Sequence, residues 1–140
     1  MSLALLYHGF GLYGYHHLKA WSKEGAIYLQ VVRAKNRCGL CRSYKVIHKG
    51  YRWRTLRALP IGRKPVFAVV KMRRFYCEEC LKTRYEDLMI AEWKKHYTRG
   101  LERYVMDLCS RMTILDVAEH TGLHWATVKA IDRKRLGRQL

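Results

Sequence analysis

Cys38-Gly-Leu-Cys41 and Cys77-Glu-Glu-Cys80 set four thiols in two pairs of identical spacing. Each pair can close a tight turn whose sulfurs converge on one cation, and two such turns complete a tetrahedral shell. Four thiolates leave no open position for water, so the expected occupant is a structural zinc ion. A redox dithiol would need a thioredoxin-like βαβ setting, which the flanking sequence does not offer. Cys109 stands alone on an apolar helical stripe and is expected as a small core residue. His16 and His17 have no convincing metal partner and are read as surface or core.

The run Thr113 to Ile131 carries a second kind of chemistry. A bihelical unit needs a small residue where its helices cross, a residue tolerating positive φ four positions later, and apolar residues where the second helix packs back. Ala118, Gly122, Leu123, Val128 and Ile131 occupy those places, Val117 extends the packed face, and Thr113 with Asp116 has the form of a capping box. The second helix is expected from about His124 to Arg135. It would turn His124, Trp125, Ala126, Lys129 and Arg133 outward, with Lys129 and Arg133 able to reach phosphates or guanine edges. Thr127 and Ala126 are short enough to approach thymine methyls. The competing reading is two packed helices with a solvated basic face.

Between Glu24 and Glu78 there is no acidic residue, while fourteen Lys or Arg fall in that interval. Within it, Tyr51-Arg-Trp-Arg54 alternates; as a strand it would put Arg52 and Arg54 on one face and Tyr51 and Trp53 on the other. Arg52 and Arg54 are candidate DNA contacts, although charged strand faces are often merely solvated.

These residues need elements to hold them. Residues 26–34, 44–47 and 65–76 are rich in β-branched and aromatic residues and bounded by turn formers, so they read as strands, with Gly50, Pro60, Gly62 and Pro65 as punctuation. From Leu101 apolar residues recur at steps of three and four, the stripe of an amphipathic helix. The expected fold class is α+β: a small β-rich zinc ribbon followed by an all-α helix-turn-helix module. The segments are an N-terminal arm over 1–25, the four-cysteine module over 26–97 and the helical module over 98–140. Metal binding and folding should be coupled, because a short, highly charged strand module buries little apolar surface.

The whole chain of 140 residues has 28 Lys and Arg against 11 Asp and Glu, a formal net charge of +17. Such a balance favours a polyanionic partner, and nucleic acid is the obvious one. The charges follow neither one long amphipathic helix nor an apolar span of membrane length, so no membrane partner is expected. No secretory signal is legible at the N-terminus, which points to a cytoplasmic protein and argues against a disulfide framework for its cysteines.

In their order, Cys38-x-x-Cys41, Arg52-Trp53-Arg54-x-Leu56-x-x-Leu59-Pro60-x-Gly62, Val69 to Arg74 and Cys77-x-x-Cys80 resemble the zinc-binding module of transposases of the ISL-three group of insertion sequences. Leu115 to Ile131, with Val117-Ala118, Gly122, Trp125 and Thr127-Val128, resembles that family's helix-turn-helix. His124 departs from the pattern, standing where the family often has a serine cap. The resemblance covers about residues 26 to 135. It implies recognition of terminal inverted repeats in double-stranded DNA, with zinc at the four cysteines and base contacts from the second helix. A homodimer is a separate expectation. The family's catalytic domain, a ribonuclease H-like fold with an Asp-Asp-Glu triad, would begin beyond Leu140, so no catalytic residue is assigned and the chain is not expected to be an enzyme by itself. Two other readings stay open: an RNA- or ribosome-associated zinc ribbon, and a DNA-binding transcriptional regulator.

Overall fold

A computed structural model describes residues 3–138. The chain runs α1 (Leu3–Phe10), β1 (Tyr15–Lys23), β2 (Ala26–Arg33), β3 (Val46–Ile61), β4 (Lys64–Cys77), β5 (Lys82–Tyr85), α2 (Arg99–Cys109), α3 (Ile114–Thr121) and α4 (Trp125–Arg138), an α+β arrangement. Among the described residues no helix is long and apolar enough to cross a membrane.

The central strand is β4. Val66, Ala68, Val70 and Met72 alternate inward and are buried, while Phe67, Val69 and Lys71 alternate to the opposite face. Along one edge β4 pairs with β3 in a long antiparallel hairpin. Its other edge is shared: β2 runs parallel to it from Val66 to Lys71, and β5 returns antiparallel against Arg74 to Cys77. The antiparallel pair of β1 and β2 extends the sheet outward, giving the order β1-β2-β4-β3 with β5 beside β4.

The strand expected at residues 44–47 is instead the start of the sixteen-residue β3. Two residues read as punctuation lie inside it at irregularities that accommodate them. Gly50, with φ of 125°, sits at the register shift between His48 and Tyr51, and Pro60 at the shift between Ala58 and Ile61. Outside such bulges and edges a glycine or proline would weaken a strand.

Residues 3–25, set apart in the sequence as an arm, form α1 and β1. Leu6, Phe10, Leu12 and Tyr15 are buried in one core with Leu29, Val31, Leu56, Ala58, Ile90 and Ala91. Apolar side chains of an amphipathic segment lose contact with water by docking on the sheet, which holds the segment in place.

Beyond Tyr85 the chain is irregular until Thr98, whose hydroxyl accepts from Leu101 N at 3.2 Å and caps α2. Thr113 caps α3 in the same way through Asp116 N at 3.1 Å. Helices α2, α3 and α4 enclose a second core of Leu101, Val105, Met106, Val117, Val128 and Ile131, with Cys109, Ala118 and Leu123 partly buried beside it. The two cores meet along β3. Arg57 N donates to His96 O at 2.8 Å, and Thr98 N donates to Arg57 O at 2.9 Å, so the lead-in to α2 is hydrogen-bonded to the sheet.

Candidate metal centre and nucleic-acid interface

The loop between β2 and β3 carries Cys38 and Cys41, and the turn between β4 and β5 carries Cys77 and Cys80. Both turns have the same local geometry. Arg42 N donates to Cys38 O at 3.1 Å, and Leu81 N donates to Cys77 O at 2.9 Å. The residue closing each turn adopts positive φ, 63° at Arg42 and 58° at Leu81. Within them, amide hydrogens point at sulfur: Leu40 N lies 3.4 Å from Cys38 Sγ and Cys80 N lies 3.3 Å from Cys77 Sγ.

The two turns face each other, and the four sulfurs lie within 4.8 Å of one another. Cys38 Sγ and Cys80 Sγ are 3.9 Å apart, and Cys41 Sγ and Cys77 Sγ 3.5 Å. Tetrahedral zinc with Zn–S bonds of about 2.3 Å requires sulfurs separated by roughly 3.8 Å, so the donors fit that ion in kind, number and spacing. Burial opposes ionisation of Cys38, but amide donors at Cys41 and Leu40 outweigh it and bring the thiol to about 7. Cys80 moves the other way, to about 12, chiefly through its contact with the Cys41 thiol. Four thiols in contact resist joint ionisation; a divalent cation removes that repulsion.

Paired charges hold this end of the molecule. The buried carboxylate of Glu86 accepts from Arg73 N and Nε, both at 2.8 Å, and Arg33 pairs with Asp87. The first cysteine turn rests on that segment: a Cβ at Gly39 would fall 2.9 Å from the Tyr85 carbonyl oxygen. Sequence reasoning missed these supports, because a single acidic pair carries no periodic signal.

At the other end, α3 stops at Gly122, which takes φ of 73°, and α4 begins at Trp125. His124 occupies the capping position and accepts there from Ala126 N through Nδ1 at 3.2 Å, the task a serine oxygen performs elsewhere. Trp125, Ala126, Lys129 and Arg133 are exposed together, as helical spacing requires, whereas Val128 and Ile131 are buried on the opposite side. Thr127 is half-buried. The Lys129 ammonium lies 5.8 Å from the Trp125 ring centroid, close enough for the ring to steady it.

Arg52 and Arg54 do share a strand face, but it is the face that Leu56 and Ala58 bury. Arg52 lies over the Tyr85 ring with 4.6 Å to its centroid. Arg54 donates to Lys95 O at 2.6 Å beside Trp93. Arg52, still exposed, thus packs on the last residue of β5, and Arg54, half-buried, braces the segment that follows β5. His16 and His17 join no metal-binding cluster among the described residues. The Cys109 thiol is pushed up by burial among the helices.

Residues 34–80 match a family described as the zinc-finger of transposase IS204/IS1001/IS1096/IS1165, and residues 86–136 match the helix-turn-helix domain of transposase family ISL3. A curated relative, the transposase for insertion sequence element IS1001 of Bordetella parapertussis, is 36% identical over 87 residues, 59% of this chain and 20% of the relative. The chain thus spans about one fifth of that relative's length. No solved structure matches.

Proposed function

From a chain that carries the zinc-finger and helix-turn-helix region of the ISL3 family of transposases, we propose a protein that recognises the inverted-repeat ends of a mobile element as duplex DNA. Zinc held by Cys38, Cys41, Cys77 and Cys80 is structural in this reading, and ties the loop between β2 and β3 to the turn that follows β4. The single observation that carries the DNA reading is the exposed row Trp125, Ala126, Lys129 and Arg133 on a helix entered through a tight αL turn. A helix so mounted fits a major groove, with its N-terminal half toward base edges. We assign His124, Trp125 and Lys129 to that half and Arg133 to a phosphate farther along. Thr127 is placed at the margin of the contact.

The reading gives the chain a binding role and no strand chemistry. Among the described residues, several carboxylates are engaged with cations, as in Glu86 with Arg73, Asp87 with Arg33 and Asp132 with Arg135. Catalysis by three convergent carboxylates is left to a domain of the kind found in the transposase family. A homodimer bridging two element ends suits this role, since paired repeats suit paired readers.

The test is a titration of labelled inverted-repeat duplex against structured RNA of equal length, with and without magnesium. Preference for the duplex, steeply weakened by salt through counterion release, supports the proposal. Preference for RNA would overturn it, and magnesium-dependent strand cleavage would overturn its non-catalytic part.

A further inference from the structure

The sheet has two unlike faces. One is covered by α1 and the segment around Ile90, while the other presents Trp21, Tyr28, Phe67, Lys19, Lys71, Tyr51 and Trp53. Registers place Trp21 opposite Tyr28, Tyr28 opposite Phe67, and Trp53 opposite Lys71, so these side chains project on the same side. Trp21, Tyr28 and Phe67 stack across three strands, with centroids 5.4 and 5.2 Å apart. Lys19 approaches one end of this rib and Arg57 the other. Its ring faces are taken up internally, leaving edges as a flat apolar floor.

Tyr51 and Trp53 lie beyond the rib. They meet edge to face at 5.7 Å and are 52% and 43% exposed, and the Lys71 ammonium lies 4.4 Å from the Tyr51 ring centroid. None of the five strands contains Asp or Glu. Asp116 and Glu119 line the groove of Arg57, Arg63 and Pro65 at the hairpin end, and the Glu86 carboxylate is taken up by Arg73. A flat, cationic, aromatic surface is a poor match for the major groove, which admits a helix or a two-stranded ribbon. It matches a single nucleic-acid strand, whose phosphates follow lysines while unpaired bases stack on exposed rings.

We propose that this open sheet face binds single-stranded DNA, with Trp53 and Tyr51 as the stacking residues and Lys71 and Lys19 as phosphate contacts. The site goes beyond the duplex reading and does not depend on α4.

The experiment uses the full zinc-loaded chain and fluorescein-labelled oligothymidylate, which has no self-paired form, followed by anisotropy and by quenching of tryptophan emission. Wild type should bind in a salt-dependent way. Trp53→Leu, which keeps an apolar side chain but no ring, and the double variant Tyr51→Ala/Trp53→Ala should each weaken binding at least about tenfold, given the usual size of base–aromatic stacking. Zinc content and inverted-repeat duplex affinity should be unchanged. Lys129→Ala should do the reverse, weakening duplex binding and leaving oligothymidylate binding intact. Should the double variant lose zinc, Trp53→Leu alone decides. Absence of wild-type binding to oligothymidylate, binding that survives Trp53→Leu, or equal loss in Lys129→Ala would each overturn the proposal.

Discussion

Arg57 Nη2 donates to the carbonyl oxygen of Thr121 at 2.8 Å, so a strand of the sheet satisfies the last turn of α3. The same residue bonds His96 and Thr98 through its backbone. One side chain and the backbone groups of one residue thereby tie the helices to the sheet, and with them the direction in which α4 is offered.

Replacing Arg57 by Met keeps the stem and removes the donor. Loss of a charged hydrogen bond to a backbone carbonyl should cost about 1–3 kcal/mol, read by urea denaturation with zinc content unchanged. Duplex affinity should fall as well, because the reading helix would lose its fixed approach. An unaltered denaturation midpoint would show that the contact contributes nothing.

Gly122 ends α3 at φ of 73°, and a Cβ there would stand 3.3 Å from Arg57 Nη2. Gly122→Ala should therefore destabilise by about 1–2 kcal/mol from backbone strain, with any displacement of Arg57 adding to it. Gly122→Asn should be milder, since asparagine visits this conformation more readily. If alanine proved as stable as glycine under thermal melting, the αL turn would not be required.

Removal of the metal should unfold the sheet. Zinc binding at structural sites is worth on the order of 10 kcal/mol of folding free energy, and Cys38→Ser or Cys80→Ser forfeits one of the four thiolates. Elemental analysis should find one zinc per wild-type chain, less in either variant, and loss of near-ultraviolet circular dichroism on chelation. Full zinc content in both serine variants would refute the four-cysteine assignment.

The carboxylate of Glu92 is held below the usual glutamate range, first by its hydrogen bond to Lys134, and Lys134 is raised in turn by Glu92 and by Glu102. A depressed carboxylate contributes stability that is present at neutral pH and lost as pH falls through its lowered value. Glu92→Gln should therefore be less stable than wild type near neutrality, and the difference should close in acid. Denaturation of both proteins from neutrality down to the lowest pH at which zinc stays bound checks this. A difference independent of pH would mean that the pair acts by packing alone.

The cysteine pairs were legible because a doubled spacing is a strong local signal, and the structure brings all four sulfurs together. The helix-turn-helix was legible from spacing too: Ala118, Val128 and Ile131 fall where the helices pack and Gly122 where the turn takes positive φ. What escaped depends on partners far away in sequence. Gly50 and Pro60 look like strand ends until a long neighbouring strand shows that they occupy bulges in β3. Leu6, Phe10 and Tyr15 look like part of a loose arm until β1 adds to the edge of β2. Alternation correctly separated Arg52 and Arg54 from Tyr51 and Trp53, but it could not say which face the core would cover. That choice left the aromatic pair, and not Arg54, toward solvent.

Selection of bound sequences from a pool of random duplexes, run on the zinc-loaded chain beside Lys129→Ala and Arg133→Ala, tests duplex reading by α4 most directly. One enriched motif is expected for wild type, with preference at a defined base position relaxed by Lys129→Ala and affinity lowered across all sequences by Arg133→Ala. No enriched motif, or the same motif at the same strength from all three proteins, would contradict that reading.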